Sequence, residues 1–84
     1  MKLISITYTP DTGKVSYSFT SDNEVRTYFA DVYDNGGIRG VVCEPDLETL
    51  LLEAQTRKCD AVKTLSKATW DFIDGVGVIF PIVL

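Results

Sequence analysis

The chain has 84 residues, 45% hydrophobic and 24% charged, with a formal net charge of −4. A chain of this length makes one domain, residues 1–84, and buries only about 60–65% of its unfolded surface. The apolar content argues against disorder. The sequence contains no His, which removes Ser-His and Cys-His nucleophilic pairs, His general bases and nearly every zinc site.

The charge is unevenly spread. Residues 22–53 hold eight acids (Asp22, Glu24, Asp31, Asp34, Glu44, Asp46, Glu48 and Glu53) against Arg26 and Arg39. The flanking segments are slightly basic. Phosphate backbones need clustered Lys and Arg, so direct nucleic-acid binding is not expected. Cys43 and Cys59 are too few for a disulfide framework, and MKLISITYTP lacks the apolar core of a signal peptide. A cytoplasmic protein with free thiols is the expectation.

Residues 2–9 alternate, with Ile4, Ile6 and Tyr8 on one side and Ser5, Thr7 and Thr9 on the other; Leu3 is the exception. Pro10-Asp11-Thr12-Gly13 is a turn sequence. Residues 14–20 alternate again, Val15, Tyr17 and Phe19 against Ser16, Ser18 and Thr20. The expectation is an antiparallel hairpin with one dry and one wet face.

The next stretch, SDNEVRTYFADVYDNGG, supports two readings. As a helix it has Ser21 and Glu24 at capping-box spacing, an apolar stripe of Val25, Tyr28, Phe29, Val32 and Tyr33, and a Gly36-Gly37 stop. As a strand it has high β-propensity and sets Tyr28 and Val32 opposite Val25, Phe29 and Tyr33. The helix places every large apolar residue on one face and is favoured. It leaves Glu24, Asp31 and Asp34 together on the outer face.

Ile38–Cys43 reads as a short strand, with Gly40 a bulge or close-approach point. Pro45 and Asp46 open a helix with Leu47, Leu50, Leu51 and Ala54 on one face. Arg57 and Lys58 sit where a helix C-terminus prefers cations. Asp60 then caps a second segment that buries Val62, Leu65, Thr69 and Phe72, with Ala61, Ala68 and Ile73 flanking. One bent helix from Asp46 to Ile73 fits equally well. Asp74-Gly75 ends it.

The last stretch, Gly75–Leu84, is GVGVIFPIVL. Both of its alternating sets are apolar, which predicts a strand covered on both faces, inside the sheet or against a partner. The fold class is α+β: a single small domain, mainly antiparallel, with helices packed on one face in the order ββαβα(α)β. A second copy is the cheapest cover for an apolar face left open, so a homodimer is expected.

No cofactor or metal site is expected. Asn35-Gly36-Gly37 lacks a P-loop Lys-Ser/Thr pair, and Asp34-Asn35-Gly36 reads as a turn rather than a calcium loop. Helix-end solvation accounts for the Asp31/Asp34 and Asp71/Asp74 pairs. Cys43 reads as a small buried hydrophobe and Cys59, between Lys58 and Asp60, as an accessible thiol.

What remains is binding. An acidic face of Glu24, Asp31 and Asp34, with Leu52 and Trp70 as apolar anchors, would suit a protein partner with a basic surface. In size, acidity and lack of catalytic groups the chain resembles, in a general way, small bacteriophage proteins that inhibit host enzymes by occlusion. The alternative is an assembly subunit whose C-terminal strand completes a neighbour's sheet. No membrane contact is expected, since ten apolar residues cannot span a bilayer as a helix.

Overall fold

The computed structural model describes residues 1–54 and 58–84. Its first two strands, β1 (Lys2–Thr9) and β2 (Lys14–Ser21), form the expected antiparallel hairpin. Gly13 closes the turn at φ 68°, and its N–H donates to Thr9 O at 3.0 Å. The register slips between Leu3 and Ser5, so Ile4 is the extra residue of a bulge. The bulge explains the Leu3 exception. It lets Leu3 pair with Phe19 and Ile6 with Tyr17, all four on the buried side.

The favoured helix over 22–34 does not form. Glu24–Asn35 is a long strand, β3, antiparallel to β2. The reason lies in the turn. Asp22 and Asn23 both sit at positive φ, 51° and 66°, the left-handed pair that joins two strands through a two-residue loop. Asp and Asn tolerate that region better than other L-residues. A segment that reads as a helix cap is therefore a hairpin tip.

Ile38–Cys43 is strand β4, paired antiparallel to β3 as expected. The C-terminal segment departs from expectation. Only Ile82–Val83 form a strand, β5, and it lies at an edge, against β1. The sheet order is β4-β3-β2-β1-β5. The stretch is not sandwiched: Ile79 is 88% exposed, and Val76 and Val83 are exposed as well. Only Leu84 is buried, with its N–H donating to Met1 O at 3.1 Å.

Two helices, α1 (Pro45–Ala54) and α2 (Lys58–Ile73), pack on one face of the sheet. The α+β class with helices on one face holds; the third element is a strand rather than a helix. Leu47 and Leu51 of α1 are buried, with Leu50 partly so. In α2 the buried residues are Ala61, Leu65, Ala68 and Thr69; Val62 is half-buried and Phe72 exposed, so the inward stripe is rotated from the expected one. The helix begins two residues before Asp60, which lies in its first turn instead of capping it. The expected Arg57 cation lies outside the described residues, as do the side chains of Ala54, Lys58 and Cys59.

One buried polar contact ties the layers together. The Thr69 hydroxyl donates to Leu65 O at 2.6 Å, which uses its only proton. Tyr17 must then donate to Thr69 Oγ1, 2.6 Å away. Burial pushes the Tyr17 hydroxyl above its ordinary value of 10.0. The folded chain thus keeps this proton at a pH where the unfolded chain has lost it. Its contribution is complete below about pH 10 and fades as pH rises further.

Denaturant unfolding tests this. Tyr17→Phe should cost about 1 kcal/mol at neutral pH and flatten the alkaline loss of stability. Thr69→Val should cost more, about 1–3 kcal/mol, because it leaves a buried hydroxyl donor with no acceptor.

Candidate functional site

The strand conformation of β3 sorts its side chains by parity. Tyr28, Ala30 and Val32 turn toward the helices, where Ala30 is fully buried. Val25, Phe29 and Tyr33 turn to the open face and are exposed. Diagonal to Tyr33 across the β3–β4 ladder are Ile38, 71% exposed, and Val42, 60% exposed, whose direct partners on β3 are Asn35 and Asp31. The corresponding open-face positions on β1 and β2 are Ser5, Thr7, Thr9, Ser16, Ser18 and Thr20. The open face is therefore polar under the first hairpin, while under the second these apolar side chains alternate with Thr27, Asp31 and Asn35.

Gly40 sits within the apolar half, paired with Tyr33. A Cβ there would overlap the Tyr33 ring, which lies over the glycine backbone. Glycine thus admits a close aromatic approach, as the sequence suggested.

The helix side of β4 carries a polar cluster. Arg39 donates to Asp74 at 2.7 and 3.2 Å and to Asp34 at 3.3 Å. Its guanidinium carbon lies 4.2 Å from the centre of the Trp70 ring. Trp70 Nε1 donates to Gly40 O at 3.1 Å. The hydrogen bond to Asp74, then that to Asp34, holds the guanidinium pKa above its ordinary value. Beside this cluster a groove of about 520 Å³ runs between β4 and α2, lined by Gly40, Val41, Lys63, Lys67, Trp70 and Asp71 among others.

The expected acidic face is not brought together. Glu24 and Asp34 share the helix-side parity of β3, but ten residues separate them, about 33 Å of strand. Asp31 points to the opposite face. Each acid already has a cation: Glu24 pairs with Arg26 at 2.9 Å, Asp31 with Lys14 at 3.8 Å and Asp34 with Arg39 at 3.3 Å. Trp70 and Asp34 do meet, through Arg39. Leu52 stands apart on α1, 58% exposed. Sequence reasoning missed Arg39, Tyr33, Ile38 and Val42. The signal for three of them was the alternation in the strand reading of β3 and β4.

Among the described residues, no group of three or more His, Cys, Asp or Glu is placed to hold a metal ion, and no helix is long and apolar enough to cross a membrane. The chain matches no protein-family model and no curated protein sequence.

The chain's single Trp makes the cluster measurable. Arg39→Gln should red-shift Trp70 emission and raise its quenching by acrylamide, with the sheet's circular dichroism retained. Trp70→Phe should cost about 1 kcal/mol for the lost bond to Gly40. Unchanged emission and quenching in Arg39→Gln would show that the stack is absent in solution.

Proposed function

We propose that this chain is a non-catalytic protein-binding module whose contact surface is the β3–β4 half of the open sheet face. The observation that carries this reading is the run of exposed apolar side chains Val25, Phe29, Tyr33, Ile38 and Val42 on one face. Tyr33, Ile38, Val42 and Phe29 are diagonal neighbours across the β3–β4 ladder, and grouped exposed apolar side chains mark contact sites more often than singly scattered ones. The non-catalytic part is supported by the lack of His and by the ion pairs that occupy the β3 carboxylates.

A second reading keeps the partner with a basic surface and moves the acidic contact to α1. There Leu52 is exposed, with Glu48 one helical turn before it and Glu53 beside it, both exposed. An acid-flanked leucine on a helix suits occlusion of a basic site, in the manner of a small stoichiometric inhibitor. The reading is favoured by exposure and charge at α1, not by the β3 acids.

Affinity capture from extracts of the source cell distinguishes the two. A partner held by the wild type and by Glu48→Lys/Glu53→Lys, but lost with Phe29→Ser/Tyr33→Ser, supports the sheet face. Loss only with the α1 variant transfers the function to the helix. A partner held equally by all three, each folded by circular dichroism, overturns both readings.

A further inference from the structure

We propose that the partner met along the β4 margin of this surface is a second copy of the chain, joined β4 to β4 about a two-fold axis through Gly40. The proposal rests on the reading of the β3–β4 half as a contact surface and names its occupant.

The two edges of the sheet differ. On the other side β5 is two residues long, follows Pro81 and covers only Lys2 and Leu3 of β1, whose remaining stretch opens on the bulge at Ile4; short strands, prolines and bulges are devices by which natural edges avoid pairing. The β4 edge is six residues long and has no proline. Its open-face residues Ile38, Gly40 and Val42 carry no charge. The ladder shows which of its groups point outward. Val32 N–H donates to Gly13 O, and Glu44 N–H donates to Phe29 O. Alternation then assigns the even residues of β4 to β3 and aims the backbone N–H and C=O of Arg39 and Val41 at the free edge.

Those groups are self-complementary. With Gly40 facing Gly40 of the second copy, Arg39 and the copy's Val41 exchange both backbone bonds, and the axis repeats the exchange. Gly40 occupies the non-hydrogen-bonded position, where the chains approach most closely, at about 4.5 Å between Cα atoms. On the open face the same register sets Ile38 beside Val42 of the copy, twice. These are the two most exposed apolar side chains of β4. The apolar side chains of the two β4 strands then meet across the joined edges, flanked on β3 by Asp31, the direct partner of Val42.

The helix layer agrees in charge. The face of α2 that lines the groove beside β4 carries Lys63 and Lys67 toward its N-terminus and Asp71 toward its C-terminus, with Asp74 one residue past the helix; within the chain Lys67 pairs with Asp71 at 2.8 Å and Asp74 with Arg39 at 2.7 Å. A two-fold axis reverses the helix, so the cationic end of one α2 approaches the anionic end of the other. A strand and a helix face about 20 Å long give on the order of 500 Å² per copy, about 1,000 Å² in all, the threshold a biological interface must reach.

Sedimentation equilibrium on the whole chain tests the proposal. The wild type should weigh twice 9.3 kDa. Ile38→Lys/Val42→Lys should keep its circular dichroism and raise the dimer Kd by about 100-fold or more. The register has its own test in a Cys43→Ser/Cys59→Ser background. Oxidised Ile38→Cys/Val42→Cys should form a covalent dimer, and Ile38→Cys alone should not. A wild type that stays monomeric at near-millimolar concentration overturns the proposal, as does a dimer indifferent to the lysines or cross-linked by the single cysteine. If the wild type is monomeric yet the lysine variant loses its captured partner, the second copy is wrong and the contact surface stands. If dimer and capture both survive the lysines, both fail.

Discussion

Thr69 and Trp70 are consecutive residues of α2, and together they set how the helical layer meets the sheet. Thr69 accepts the Tyr17 hydroxyl at the centre of the sheet, on β2. Trp70 donates to Gly40 near its edge, on β4. Two hydrogen bonds from adjacent helical positions, made to different strands, fix both the place and the rotation of the helix. The apolar contacts around them are non-directional. Leu65, Ala61 and Ala68 could pack in several rotations about the helix axis; the two polar contacts select one. That choice turns Phe72 outward and the groove-lining charges toward β4.

The helix and strand readings of β3 share every large apolar residue and differ only in where those residues point. A period near 3.6 gathers Val25, Tyr28, Phe29, Val32 and Tyr33 on one side. A period of two sends Tyr28 and Val32 inward and the other three outward. Burying all five looks like the better use of apolar surface, so the pattern argues for the helix. The local turn decides otherwise. Asp22 and Asn23 in the left-handed region close a tight hairpin with β2, and a strand eight residues long was already waiting to pair. Sheet pairing overrides periodicity here, and three apolar side chains are left outside.

Much of the fold was legible for a related reason. The first hairpin has one wet and one dry side, so its alternation and its burial agree, and even the Leu3 anomaly carried information about the bulge. Gly40 stood out because glycine inside a strand invites a close approach. The C-terminal segment misled because composition alone suggested burial. With Pro81 in the run and only Ile82 and Val83 paired to β1, it ends as a short edge. Of the site, Trp70 and Asp34 were visible as an aromatic and an acid; the residue that joins them was not. Arg39 lies five positions from Asp34, 31 from Trp70 and 35 from Asp74 in sequence, and only the pairing of β3 with β4 and the seating of α2 bring the four together.

An antiparallel sheet with helices on one face has a standing problem on the other. Water must be met by polar side chains there, or the face must be covered. The first hairpin solves it with serine and threonine at almost every outward position. The second hairpin, on the same sheet and in the same solvent, does so only at Thr27, Asp31 and Asn35; elsewhere it presents Val25, Phe29, Tyr33, Ile38 and Val42. Serine and threonine suit a strand backbone as this sheet already demonstrates, so folding did not require the change. A local rule that is obeyed on one half of a surface and broken on the other, with no gain to the isolated fold, points to a demand from outside the chain. The unguarded edge of β4 lies on the same side of the molecule as the broken rule, and the blunted edge of β5 lies on the other.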